Sequence, residues 1–477
     1  MGATGVARAI DSFVDPSAPL PADATEAASA IQSALGNPPD LDCCQLQQGD
    51  VLWCLVHLDS LTDPQLIQSE VLLPLSQGRM PATSRNAQVR TYGEALAAIL
   101  EGKLVALGGQ QAFLVDVVKR PTRSPSEPAA EKVTTGPHRG FVENVDQNLG
   151  LIRMNLRDVR LRVERHTLHA ATDVEVLLVY IAGLAPAETV SRLRRGILET
   201  RTSMAITDTS TLSEVFAPLQ VVPLLQSTER PDRVAGALYE GRCAMMLEGS
   251  PTALLAPTVL LQLLQPVDDY YHRPQIASFR RTVRTIALIL SVMLSALYTA
   301  AATINCELLP APLFISISQA RQNVPFPTAV EIFLMEGIIE IVQEAGLRVP
   351  GTLGQTASIL GAVVVGQSAV ASGIISAPTV VLSSLGFLAS LAIPDLNASI
   401  GFRILRFPLI VIAAVFGIAG LALGTMLIGL HLAAMDSFGV SYLSPLTPFS
   451  WRAFVKSVLR LPLLRRSGRA EPGLDTG

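Results

Sequence analysis

Three carboxylates recur at every fourth position inside an otherwise apolar run: Glu336, Glu340 and Glu344 within Thr328–Ala345, TAVEIFLMEGIIEIVQEA. At 100° per residue they form one stripe of a helix, with Leu334, Ile338, Ile341 and Ala345 on the other side. Such a stripe suits contact with cations along a wet face. It equally suits a helix lying at a membrane surface with its apolar side immersed. Glu331 falls outside the stripe. It stands three residues after Thr328, just behind Pro327, which is the pattern of a capping box, so it is expected to tie off a helix start. Gln355, Gln367 and Ser368 place polar groups in a later apolar run, where an unpaired amide is costly, so they face protein or water.

Catalytic chemistry has no comparable signature. The chain holds no P-loop, no G-x-G-x-x-G, no H-E-x-x-H and no G-x-S-x-G. His166 and His169 are the only close histidine pair, with no cysteine or carboxylate cluster beside them, and read as surface or linker residues. Cys43, Cys44, Cys54, Cys243 and Cys306 form no C-x-x-C pair, which argues against both a zinc site and a disulfide framework. No catalytic residue, cofactor or metal is expected, and the chain is not read as an enzyme. The run Glu229-Arg230-Pro231-Asp232-Arg233 is dense in charge for a helix start. Asp232 there suits the helix dipole, and Glu229, Arg230, Asp232 and Arg233 are candidates for ion pairs between lobes or between subunits. Asp268-Asp269-Tyr270-Tyr271, just ahead of the apolar half, reads as a helix first turn with tyrosines at a membrane interface. A net charge of −4 gives no reason to invoke nucleic acid.

The elements that carry these residues change character along the chain. Up to about Arg284 it is charged and punctuated by proline; from Ile286 to Met435 it is apolar; from Phe449 on it is basic. Charged residues make up only 16% of the 477, below the roughly 25% of soluble domains, and the apolar half accounts for the deficit. Residues 286–304, 356–375, 379–393 and 407–435 are expected to span a membrane, with 328–345 spanning, re-entrant or interfacial. Arg273, Arg280, Arg281 and Arg284 ahead of the first span place the preceding domain in the cytoplasm. Gly420-x-x-x-Gly424 and Ala357-x-x-x-Gly361 allow close helix contact. Residues 1–40, rich in Ala, Pro, Ser and Asp and without the apolar core of a signal peptide, are expected to be disordered. The domains are then 1–40, a soluble domain 41–275, a helical membrane domain 276–448 and a basic tail 449–477.

The soluble half repeats itself. Asp50–Leu61 (DVLWCLVHLDSL) aligns without gaps on Asp173–Leu184 (DVEVLLVYIAGL). Leu100–Asp116 echoes Tyr239–Ala256, each with Glu-Gly-basic, an apolar strand, a Gly-containing turn and a second strand. The expected fold is a two-lobed α/β domain made by internal duplication, with lobes at about 41–120 and 170–260, followed by an α-helical membrane domain. The Pro- and Arg-rich stretch 121–165 joins the lobes and carries a helix near Phe141–Leu156.

Several runs together resemble the GerA family of spore germination proteins: Thr135–Glu143 (TGPHRGFVE), Gln226–Val234 with Glu240–Arg242, Val324–Pro327, Gly354–Ser358 with Gly366 and Gln367, and Phe402–Pro408. They follow one another in the right order from about Asp50 to Pro448. The resemblance implies the A subunit of a nutrient germinant receptor in the inner membrane of bacterial spores. It would assemble as a homo-oligomer, a pentamer, with a B-type transporter-like subunit and a C-type lipoprotein. The oligomer would form a channel whose opening by nutrients releases cations. Glu336, Glu340 and Glu344 are then candidates to line the pore, followed by Gln319, Asn323 and Gln355. The alternatives are a spoVAF-type accessory protein of the dipicolinic-acid release channel and a non-conducting scaffold or sensor.

Overall fold

The computed structural model describes residues 15–49, 51–79, 81, 88–109, 111–119, 131, 137–169, 173–200, 205–218, 220–347 and 352–460; at 347, 352–360 and 362 it describes the backbone alone. The chain divides into two units, each taken by itself below. The described part of the first lies in Met1–Pro218 and Leu225–Pro257, and the second is Leu219–Leu224 with Thr258–Ser467.

The first unit opens with helix α1 (Ala24–Leu35), strands β1 (Leu41–Gln48) and β2 (Val51–Leu58), and a helical segment over 64–76 with a π-helical turn at Gln68–Leu72. Helix α2 (Tyr92–Leu100) and the hairpin β3 (Leu104–Gly108), β4 (Gln111–Val115) follow. These strands form one antiparallel sheet in the order β1-β2-β3-β4. Next come α3 (Val145–Asn155), β5 (Leu161–His169), β6 (Asp173–Ile181), α4 (Ala187–Glu199), α5 (Thr209–Phe216), β7 (Gln226–Thr228), α6 (Pro231–Tyr239), β8 (Cys243–Leu247) and β9 (Ala253–Ala256). Their sheet runs β5-β6-β8-β9-β7, the order of the first with one strand added.

The two sheets also share their register. Cys54, Leu55 and Val56 sit opposite Leu107, Ala106 and Val105. Their sequence counterparts Leu177, Leu178 and Val179 sit opposite Met246, Met245 and Ala244, the counterparts of those partners. The repeated Glu-Gly-basic tripeptide has a physical role: it stops a helix. Gly102 and Gly241 take φ of 86° and 82° at the ends of α2 and α6. The next amides, of Lys103 and Arg242, donate back to the carbonyls of Ala98 and Ala237 at 3.0 Å. Glycine reaches that left-handed turn without a Cβ penalty.

Two sequence expectations are corrected here. The stretch 1–40 is not uniformly disordered. Asp23 caps α1 by accepting from the Thr25 amide at 2.8 Å, and Ala27, Ala28, Ile31 and Leu35 are buried against Cys54, Val56, Leu58 and Val105. Alanine and serine make the stretch look weakly apolar when its composition is averaged, but one helical face is apolar and that face packs. Residues 1–14 lie outside the described residues. The second lobe also begins earlier than 170. Strand β5 is the first strand of its sheet, and Val145, Leu149 and Ile152 of α3 enter the core around Leu177, Val179, Leu238 and Met246. β5 reads as linker because its partly exposed positions carry Arg162, Glu164 and His166 between buried Leu161, Val163 and Leu168, the alternation of a strand with one wet face.

An ion pair closes the seam between the two sheets. Arg153 of α3 sends Nε and Nη2 to the Asp40 carboxylate at 2.8 and 2.7 Å, and the Ser60 hydroxyl adds a third bond at 2.6 Å. Both charged side chains are buried. Arg162 donates to the Leu35 carbonyl at the end of α1 at 2.9 Å. The inter-lobe ion pair thus comes from residues 113 apart, one of them in the stretch that composition marks as disordered.

The second unit is helical: α7 (Pro274–Thr303), α8 (Ala311–Ala320), α9 (Thr328–Leu347), α10 (Thr352–Ala371), α11 (Ala377–Leu391), α12 (Leu396–Ala434) and α13 (Trp451–Val458). Helices α7 and α12 are long and apolar enough to cross a membrane by length and composition. The run expected as one span over 407–435 is nevertheless broken. Gly417 takes φ 62° and ψ −145°, outside helical values. A Cβ on Gly424 would stand 2.7 Å from Leu409, a residue that a straight helix would hold about 22 Å away. The chain therefore folds back at Gly417, and Gly420 and Gly424 pack the second limb on the first. Asn305 accepts from the freed Ile418 amide at 2.9 Å. The Asp268–Tyr271 cluster serves as an anchor rather than a simple interfacial belt. Asp269, fully buried, accepts from Arg281 at 2.8 Å and from Arg284 at 3.0 Å. The Arg460 guanidinium bonds the carbonyls of Asp269 and Tyr270 and stacks 5.6 Å from the Tyr270 ring.

Candidate functional site: a charged core in the helical unit

Glutamates of α9 and arginines of α12 meet inside the second unit. Glu336 and Glu340 are four residues apart and Arg403 and Arg406 three apart, so each pair shares one helix face. Glu336 accepts from Arg406 Nη1 and from the Ser295 hydroxyl of α7, both at 2.5 Å. The Glu336 and Arg406 side chains are both 0% exposed. Glu340 lies 3.4 Å from Arg403 Nε and 3.9 Å from Arg406 Nη2. A Cβ added at Gly386 of α11 would stand 3.6 Å from Arg406 Nη1 and 3.7 Å from Ser295 Oγ, so α11 borders another side.

A second node joins three elements. Glu331, also 0% exposed, accepts from Arg321 Nε at 3.1 Å, from the Ser376 amide at 2.9 Å and from the Thr379 hydroxyl at 3.2 Å. Its carboxylate serves the N-terminus of α11 rather than the start of its own helix. The capping-box spacing is present, but the Thr328 hydroxyl is buried without a partner among the described residues. A free amide and a positive helix end in the neighbour offer the anion more than its own first turn.

Two glutamates of α9, Glu331 and Glu336, are therefore turned inward. Phe333, Leu334 and Ile341 are exposed while Glu331 and Glu336 are buried. A soluble helix would show the reverse pattern, and a surface-lying amphipathic helix would leave its carboxylates in water. Three carboxylates face three guanidinium groups, so the core is balanced in charge. Unpaired, each of these groups would be costly at membrane depth.

Glu336 is buried within this chain, bonded to Arg406 and Ser295. Glu340 is part-buried in the same network. Glu344, Gln319 and Asn323 are exposed; Gln355 lies on α10 with its side chain outside the described residues. Several contacts of the Glu229–Arg233 run are made within the first unit. Arg230, buried, grips Asp232 at 2.6 Å and the Pro137 carbonyl at 3.1 Å, Arg233 reaches Glu131 at 2.5 Å, and the Glu229 carbonyl accepts from Phe141. Those bonds fasten Glu131, Pro137 and Phe141 to the corner between β7 and α6. The partners lie about a hundred residues away, a distance from which spacing carries no signal.

In the first unit, Glu164 of β5 accepts from Arg194, Tyr180 and His166 at 2.5 to 3.0 Å. Burial pushes its carboxyl up, but those bonds together prevail and hold it at about 2. Burial and the Glu164 bond push the Tyr180 phenol up to about 12. His166 is thus part of a charge cluster on a strand, not a linker residue.

Helices with apolar faces outward and paired charges inward are those of an integral membrane protein. Residues 29–471 match the family model described as Bacillus/Clostridium GerA spore germination protein, so the chain belongs to the GerA family. It is 37% identical over 388 residues to the uncharacterized membrane protein YfkQ of Bacillus subtilis, covering 79% of this chain and 75% of that one. It is 36% identical to spore germination protein A1 of Bacillus subtilis, over 83% of each, and 30% identical to spore germination protein GerLA of Bacillus cereus, over 94% of each. Among solved structures, the N-terminal domain of the A subunit of the Bacillus megaterium spore germinant receptor GerK3 matches 51% of this chain and 98% of that one, at 21% identity and a TM-score of 0.40.

Proposed function

We propose that this chain is the A subunit of a nutrient germinant receptor in the spore inner membrane, with its α/β unit in the cytoplasm. In this reading it assembles as a homo-oligomer, a pentamer, beside a B-type transporter-like subunit and a C-type lipoprotein, and the ring conducts cations when nutrient is sensed. The match to a spore germination protein across 94% of both chains carries the reading. The helical unit supports it physically. Its buried charges cancel within one chain, which leaves exposed Gln319, Asn323 and Glu344 to face water or a neighbouring copy. A ring of carboxylates and amides contributed by several copies suits passage of monovalent cations.

The test is reconstitution. Purified full-length protein, alone and with the B- and C-type subunits, is placed in potassium-loaded vesicles, and subunit number is counted by native mass. The reading expects a closed oligomer, nutrient-dependent potassium release from the complex, and reduced cation selectivity on Glu344→Gln. A strictly monomeric protein, or a complex that stays impermeable with nutrient present, overturns it.

A further inference from the structure

We propose that the first unit carries a divalent transition-metal site formed by Asp42, His57 and Asp59. It lies in the cavity between the β1-β2-β3-β4 sheet and the helical segment 64–76. The register brings the ligands together. Asp42 of β1 is the cross-strand partner of His57 of β2, and Asp59, two residues further on, returns to the same face. His57 Nε2 stands 3.0 Å from Asp59 Oδ1 and 4.0 Å from Asp42 Oδ2. The three donor atoms lie within 4.8 Å of one another, and among the described residues no other group of three does so. A metal held by bonds of about 2.0–2.2 Å draws its donors to roughly 3–3.5 Å of each other. His57 and Asp59 already meet that spacing. Asp42, with 53% of its side chain exposed, has the freedom to close the rest by rotating.

Two further observations separate this group from an ordinary surface ion pair. His57 is only 4% exposed, and its Nδ1 has no hydrogen-bond partner among the described residues. The other ring nitrogen, Nε2, is the one that meets the two carboxylates. The cavity, about 1190 Å³, is also lined by Gln68 and Leu72, the two ends of the π-helical turn, a distortion often found at functional sites. The nearby Asp40 carboxylate is already engaged by Arg153 and Ser60, which leaves Asp42 and Asp59 as the carboxylates beside His57 Nε2. One imidazole and two carboxylates, with open positions facing a cavity, are the donor set of Zn²⁺, Mn²⁺, Fe²⁺ or Co²⁺ rather than of Ca²⁺, which takes oxygen alone.

Co²⁺ is the probe. Full-length protein purified in detergent, with its tag removed and stripped by chelator, is dialysed against Co²⁺, and bound metal and d–d absorption are measured together. The wild type is expected to bind one Co²⁺ per chain, displaceable by Zn²⁺, with an imidazole-ligated spectrum and a raised melting temperature. Asp59→Asn and Asp42→Asn alter exposed side chains, so the fold persists; each should weaken binding by at least about tenfold. His57→Gln should abolish the spectrum. Failure of the wild type to bind Co²⁺, or binding of equal strength in the wild type and both Asp variants, overturns the site and leaves a plain ion pair.

Discussion

Asp40→Asn is the most direct test of how the two sheets of the first unit are joined. The substitution keeps the shape of the side chain but removes the charge that Arg153 grips with two bonds and Ser60 with a third. Arg153 is 1% exposed and Asp40 4%, so water cannot replace the lost anion without opening the seam. Removing one partner of a buried ion pair costs about 3–5 kcal/mol, because the survivor is left charged and desolvated. For a domain of this size each kcal/mol moves the melting temperature by roughly 2–4 °C, so a fall of about 6–20 °C is expected. Trp53, buried on β2, reports this unit, and Trp451, exposed on α13, is the only other tryptophan. A Trp451→Phe background makes fluorescence specific to the first unit of the full-length protein. Asp40→Leu combined with Arg153→Met removes both charges and should recover most of the loss. A single variant within about 2 °C of the parent, or a double variant whose loss equals the sum of the two singles, refutes the reasoning.

Two further outcomes follow from the charge clusters. Glu336→Gln leaves Arg406 buried with only Glu340 nearby at 3.9 Å. It should lower the yield and thermal stability of the detergent-extracted protein while leaving the reversal potential of surviving oligomers unchanged; a selectivity change at undiminished stability would return Glu336 to a lumen. Glu164, held at about 2 against an ordinary value of 4.5, contributes stability that is complete above its unfolded value and is lost as pH falls from about 4.5 towards 2. The effect is on the order of 3 kcal/mol. Melting curves of wild type and Arg194→Gln through that window should converge as pH falls, and parallel curves would contradict the assignment.

Local grammar made much of the architecture legible. The gapless echo of Asp50–Leu61 in Asp173–Leu184 foretold β2 and β6, and the Glu-Gly-basic repeats marked where each hairpin begins, because a left-handed helix stop demands glycine wherever it occurs. Alternation on β5 and alanine dilution on α1 concealed two elements. In each, burial is confined to one face, and composition averages that face away.

What the sequence by itself determined is the division into an α/β half and an apolar helical half, the doubling of the α/β half and the family. Each of these is written in periodicity and in runs of adjacent residues. What only the tertiary structure decided is which charges meet. The inward turn of Glu331 and Glu336, the reversal at Gly417, the Asp40–Arg153 seam and the Asp42–His57–Asp59 group all depend on residues far apart or on different strands. The physical reason is that a charge chooses the partner that best offsets its loss of water. That partner is set by packing in space and leaves no mark in the spacing of the chain.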